Sequence, residues 1–265
     1  IGQSGAMGGH AVADVLLGKT HPSGRLASTW AKTYADYPAA ATFSHNGGQW
    51  HEAYYRESIY VGYRYFDTFG VEPLYPFGYG LGYASFSRET VEADADEHGV
   101  RLQVRVVNTG DRPGREVVQV YAAAPYYALE KPRQVLAAFG KTGLLAPGEA
   151  ETLSLTFPLE RLESFSAERC AYVLERGDYL IRVGRHSRDT EPVLRLRLDG
   201  DAETRRVRHI CPLEEPMETL SRRGAPVPAE ERAEPPTVIL AAGRIPAETV
   251  AYAGEPAPLP GPGTG

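Results

Sequence analysis

VRLQVRVVNTGD, residues 100–111, alternates apolar and polar side chains and then stops at a cluster of turn formers. A period of two puts Val100, Leu102, Val104 and Val106 on one face of a strand and Arg101, Gln103 and Arg105 on the other. Asn108-Thr109-Gly110-Asp111 ends the run as a turn does. Further strands follow at Val117–Tyr121, Gln134–Phe139, Ala150–Phe157, Tyr172–Leu174, Tyr179–Val183 and Val193–Leu198, with turn signals at Pro147-Gly148 and Arg176-Gly177-Asp178. Seven or eight short strands over roughly 100 residues predict an all-β sandwich of immunoglobulin type. The Cys…Trp…Cys pattern of true immunoglobulin domains is lacking, so a fibronectin type III-like variant fits residues 88–199 better.

The 86 residues before this region have a different rhythm. Ala6, Met7, Val12, Val15 and Leu16 are spaced for one face of a helix over Gly5–Leu17, with Ser4 placed to cap its start and Gly18 to close it. Pro22-Ser23-Gly24 is a turn, and Arg25–Trp30 reads as a short strand. Ile59, Val61, Tyr63 and Tyr65 alternate with Tyr60, Gly62, Arg64 and Phe66, which predicts a strand over 59–66. After residue 199 the chain carries 11 of its 21 prolines. Residues 200–265 therefore read as an extended connector, with short strands or extended segments at Val207–Ile210 and Thr237–Ala241.

Eight Tyr and four Phe lie between Tyr54 and Phe86. Tyrosine stacks on sugar C–H faces and hydrogen-bonds through its hydroxyl, but it is equally a core residue whose hydroxyl has found a partner. Both readings stand at this stage.

The net charge of −6 gives no electrostatic footprint for nucleic acid or anionic lipid. No run approaches the roughly 20 apolar residues of a membrane-spanning helix. Cys170 and Cys211 are the only cysteines, a sparse usage that suits a reducing cytosol better than secretion and argues against their pairing. The chain opens on Ile1 and closes on PAPLPGPGTG, so a piece of a larger protein is expected.

The glycines of Gly2–His10 lack phosphate-loop spacing and read as close helix packing. His45, His51 and Glu52 match no zinc pattern. Glu52, Glu57 and Asp67 are candidate glycosidase carboxylates, a chemistry that needs two carboxyls about 5–10 Å apart. Glu57 and Arg64 otherwise read as structural polar contacts among the tyrosines. No nucleophile elbow, serine–lysine motif or cofactor motif is present.

GQSGAMGGHAVADVLLGKTHPSGRLASTW (2–30) and YYRESIYVGYRYFDTFGVEPLYPFGYGLGYASFS (54–87) resemble the end of the second, α/β sandwich domain of glycoside hydrolase family 3. VRVVNTGDRPGREVVQVYAAAP (104–125), RQVLAAFGKTGLLAPGEAETLSLTF (133–157) and ERGDYLIRVGRHS (175–187) resemble the fibronectin type III-like domain of the same family. The resemblance implies an incomplete α/β segment over 1–86, a sandwich over 88–199 and a connector over 200–265 that suits a circularly permuted member with its barrel last. It implies a retaining mechanism on β-linked glycosides, with an Asp nucleophile on the barrel and a Glu acid/base. Neither position is matched here, so this polypeptide alone is expected to be inactive. Trp50, Tyr54 and Tyr55 are the candidate substrate-contacting residues. The alternative is a non-catalytic carbohydrate-binding or structural module.

Overall fold

A computed structural model describes residues 4–43, 51, 53–208, 217–223, 225 and 234–248. Eleven strands and two α-helices are assigned among them. Strands β1 (Phe86–Asp96), β2 (Gly99–Asn108) and β5 (Ala150–Pro158) form one sheet in the order β1-β2-β5. Strands β3 (Val117–Ala123), β4 (Val135–Lys141), β8 (Gly177–His186), β9 (Asp189–Leu198) and β11 (Thr237–Leu240) form the second, in the order β11-β9-β8-β3-β4. A small sheet joins β6 (Ser164–Ser166), β7 (Ala171–Leu174) and β10 (Ala202–Arg206).

The opening motif behaves as its alternation requires. Val100, Leu102, Val104 and Val106 are buried to 1% exposure or less, and they meet Val118, Val120, Ala122, Ile181 and Leu194 from the facing sheet. Strand β1 carries no clean alternation because its register shifts between Thr90 and Glu92. The bulge turns Val91 out to solvent and brings Ala93 and Ala95 toward the core, so the apolar period is broken midway.

Strand β3 departs from half-buried alternation. Val117 to Ala122 are all buried. Val118, Val120 and Ala122 face the sandwich core, and Gln119 and Tyr121 lie on the opposite face, covered by residues 63–78.

Helix α1 spans Gly8–Leu16 rather than Gly5–Leu17. Met7, not Ser4, occupies the N-cap, and Gly18 closes the helix at φ +68°. Met7 and Leu16 of the expected apolar face are exposed, as is Leu17. The Arg25–Trp30 segment is extended, but it pairs with residues 75–79 through isolated bonds instead of a ladder: Leu26 N–H donates to Tyr79 O (2.8 Å) and Trp30 N–H to Tyr75 O (2.9 Å).

The strand expected over 59–66 is replaced by helix α2, Tyr63–Phe69. Gly62 at φ +56° redirects the chain at its start, and Gly70, left-handed at φ +70°, ends it. The aromatic spacing fits either element, because Tyr63, Phe66 and Asp67 share a helical face as readily as alternate residues share a strand face.

The proline-rich stretch was expected as an extended connector with short strands or extended segments; its described parts return to the sandwich, and Thr237–Leu240 is a strand. β10 pairs with β7, Glu248 N–H donates to Thr204 O (2.6 Å), and β11 lies parallel to the outer edge of β9. Val238, Leu240, Ala242 and Ile245 pack on the core from this edge. The segment at Val207–Ile210 lies only partly within the described residues, and Val207 N–H bonds Cys170 O (2.9 Å). Cys211 lies outside them, and Cys170 is free.

An uncovered strand edge is a template for another chain. A chain truncated after Gly200 is expected to unfold at lower temperature and to associate with rising concentration, as read by size-exclusion chromatography with light scattering.

Candidate functional site

The aromatic stretch divides into a set packed against other groups and an exposed set. Tyr63 stacks on Phe77 (ring centroids 4.5 Å, 25°), meets Tyr121 edge-on at 6.2 Å, and accepts a hydrogen bond from Leu136 N–H at 2.9 Å. Tyr121 donates its hydroxyl to Gln119 Oε1 (2.7 Å), and Gln119 Nε2 donates to the carbonyls of Gly78 (3.0 Å) and Arg185 (2.6 Å). Gly78 sits at φ +83°, and a Cβ there would fall 2.0 Å from Gln119 Oε1, so no other residue fits this approach.

Helix α2 adds charge to the seam. Arg188, in the β8–β9 turn, places Nε 2.5 Å from Asp67 Oδ1 and donates through Nη2 to the carbonyls of Phe66 and Val71, both at 2.8 Å. Burial pushes the Asp67 carboxyl up from the ordinary aspartate range, and Arg188, Ser187 and Gln134 oppose that shift. The neighbouring Thr68 Oγ1 accepts Arg133 N–H at 2.9 Å.

Tyr60 is fully buried, packs edge-on against Phe69 (5.1 Å) and donates its hydroxyl to Glu130. Burial and that carboxylate push the Tyr60 hydroxyl far up. Glu130 also accepts from Ser221 Oγ, Arg222 N–H (3.0 Å) and Tyr126 OH (3.3 Å). One carboxylate thus joins the aromatic segment, the β3–β4 loop and the described part of the tail. Beneath it, Lys131 and Glu175 form a buried ion pair, and Glu175 also accepts Ala128 N–H at 2.9 Å.

The exposed set lies elsewhere. Tyr54 is 41% and Tyr55 73% exposed, with the Arg56 guanidinium 5.7 Å from the Tyr54 ring centroid. Trp50, the third candidate, lies outside the described residues, as do His45 and Glu52. Trp30, Tyr34 and Phe43 are also exposed. Of the 21 large exposed apolar side chains among the described residues, 14 fall before residue 84, so exposed apolar side chains are concentrated in this segment, a third of the chain. Asp67 is committed to Arg188, and Glu57 is half-buried with its carbonyl bonded to Tyr60 N–H (2.9 Å). No glycosidase carboxylate pair is assembled from these two. The anchoring partners Gln119, Glu130 and Arg188 were missed from sequence. Their only advance signal was the unbroken run Val117–Ala122, too apolar for a strand with one wet face.

Residues 1–83 match the glycosyl hydrolase family 3 C-terminal domain, and residues 116–187 match the fibronectin type III-like domain. The chain belongs to glycosyl hydrolase family 3. Beta-glucosidase A of Butyrivibrio fibrisolvens is 40% identical over 210 residues, 71% of this chain and 25% of that protein. Thermostable beta-glucosidase B of Acetivibrio thermocellus is 36% identical over 69% of this chain and 24% of its own length. Beta-glucosidase 3B from Thermotoga neapolitana, solved with glycerol, superposes with a TM-score of 0.68 at 46% identity, over 71% of this chain and 26% of that one. The chain thus spans about a quarter of the length of the curated relatives it matches.

Arg188→Ala would leave Asp67 buried without its cation, a loss of about 3 kcal/mol by the usual cost of breaking such a pair. Denaturant unfolding should show a lower midpoint, and Arg188→Lys should recover only part of it, since one ammonium cannot replace the bonds to both Phe66 and Val71 carbonyls.

A second expectation concerns acid. His21 Nδ1 accepts Tyr83 N–H at 3.0 Å, so the imidazole must be neutral there, and burial lowers its pKa. A lowered folded pKa means that the unfolded chain binds the proton first. The stabilisation is therefore complete above the unfolded value of about 6.5 and is lost as pH falls through the lowered folded value. His21→Gln should flatten the stability–pH curve in that window, measured by thermal unfolding across pH.

Proposed function

We propose that this chain is the scaffolding portion of a retaining β-glycosidase of β-glucosidase type, acting on terminal non-reducing β-linked sugars. The observation that carries the reading is the seam. Tyr63, Asp67, Thr68 and Phe77 are spent on fixing the family 3 segment to the sandwich, while other large apolar side chains of the segment, Trp30, Tyr34 and Phe43 among them, are exposed. Exposed apolar patches mark interaction surfaces. In this reading the exposed side chains meet the part of the enzyme that holds the nucleophile and the acid/base, and the sandwich sets its orientation.

The relatives named as beta-glucosidases support the reaction class. Retaining hydrolysis uses two carboxyls about 5 Å apart, one attacking the anomeric carbon and the other protonating the leaving oxygen and then activating water. Asp67 is ruled out of either role by its burial against Arg188. Tyr54, Tyr55 and Trp50 are proposed to border the sugar site, where a ring and a hydroxyl together suit a pyranose.

The test has two arms. The 265-residue polypeptide should give no turnover of a chromogenic β-glucoside above background; measurable turnover would refute the division of labour. In the whole enzyme, Tyr55→Ala should raise KM about tenfold with less effect on kcat, the pattern of lost ground-state binding. An unchanged KM would remove Tyr55 from the site.

A further inference from the structure

Between the family 3 segment and the open end of the sandwich lies a cleft of about 330 Å³. Its polar lining is dominated by guanidinium groups. Arg25 enters from the loop after the Pro22 turn, Arg88 from β1 and Arg185 from the end of β8. Arg25 and Arg88 both reach one buried carboxylate, Glu116, whose backbone N–H donates to Thr142 Oγ1 at 3.0 Å. Arg25 Nη2 reaches Glu116 Oε2 at 2.9 Å, and Arg88 Nη1 reaches Oε1 at 3.0 Å. Arg185 pairs with Asp189, which does not line the cleft.

Three guanidiniums against these two carboxylates leave an excess of positive charge. Each guanidinium carries five N–H donors, and Glu116 engages one nitrogen of Arg25 and one of Arg88. His21 and His186 also line the cleft, and burial lowers the pKa of both, so at neutral pH the local charge comes from the arginines. Arg88 is itself lowered, by burial first; Glu116 and Asp189 oppose that shift, and Arg185 and Arg25 add to it. Such crowding of cations is relieved by an anion. One wall is flat: the Tyr79 ring lines the cleft, supported by Tyr75 at 5.2 Å and His186 at 5.7 Å between ring centroids.

We propose that this cleft binds a small oxyanion, a carboxylate or phosphate on a molecule no larger than a monosaccharide, held by Arg25, Arg88 and Arg185 with its body against Tyr79. The class follows from the chemistry of the walls. Planar guanidiniums match carboxylate and phosphate oxygens, whereas a neutral sugar would not call for a surplus of cations. The proposal does not depend on the glycosidase reading, because none of these groups is assigned to that reaction.

Calorimetric titration of the 265-residue chain with inorganic phosphate, glucuronate, glucose 6-phosphate and glucose tests it. At least one anion should bind with a Kd of about 1 mM or tighter at low salt, weakening as salt rises, and glucose should not bind. Binding of glucuronate alone assigns the carboxylate; binding of both phosphates assigns the phosphate. Arg185 is more than half exposed, so Arg185→Gln should fold normally and weaken binding about tenfold, while Arg197→Gln, on the neighbouring strand and paired with Asp178, should leave it unchanged. No anion binding up to roughly 10 mM, equal binding of glucose, or equal losses in the two variants would overturn the proposal.

Discussion

The outer face of β3 is the surface on which the rest depends. A strand in the middle of a sandwich has one face in the core, and its other face ordinarily meets water. Here that other face carries Gln119 and Tyr121, both nearly inaccessible to solvent. A buried primary amide must be satisfied, because each unmet donor or acceptor costs about 1–3 kcal/mol. Gln119 uses Nε2 for two carbonyls and Oε1 for the Tyr121 hydroxyl, and one of those carbonyls belongs to Gly78 in the preceding segment. The sandwich is therefore closed on this side by the family 3 segment, and the seam behaves as a second, smaller core.

Charge fixes how the two parts meet. Ring packing at Tyr63, Phe77 and Tyr121 supplies apolar burial, but stacking tolerates sliding. The Asp67–Arg188 pair does not, since Arg188 must reach the carboxylate and two backbone carbonyls at the C-terminal end of α2 at once. The net stabilisation from such a buried pair is small after desolvation, and its effect is on geometry. Glu130 does similar work at the other end, where Tyr60, Tyr126 and Ser221 converge on one carboxylate. The seam is thus pinned at both ends by acidic groups and filled between them by rings.

How much of this was legible follows from where each signal resides. Strands β2 to β5 and β7 to β9 could be read because their alternation is local, with arginines marking the wet face of β2. Strand β1 was hidden by the bulge at Thr90–Glu92, which moves its apolar residues to the opposite parity. Helix α2 was misread because Tyr63 to Phe66 satisfy either period; the better evidence was the glycine pair at 62 and 70 that brackets a helix of seven residues. Strand β11, Thr-Val-Ile-Leu, is strongly β-forming and could be read as a short strand or extended segment despite the prolines around it, whereas the charged β10 could not. The seam was not legible, because Gln119, Glu130 and Arg188 lie roughly 40 to 120 residues from the groups they serve, and no local pattern encodes such pairings.

The same geometry divides the aromatic stretch residue by residue. A ring can bind sugar only if one face is open to it. Tyr60, Tyr63, Phe66 and Phe77 are enclosed by other rings, by Glu130 or by β3, and they hold the segment in place. Tyr54 and Tyr55 precede that anchor by only a few residues and remain open. An open ring gains selectivity when its backbone is held, because less freedom is lost on binding. Tyr60 and Tyr63 hold the chain just beyond the exposed rings, so in the proposed reading scaffold and platform would be consecutive parts of one strip rather than rival descriptions of it.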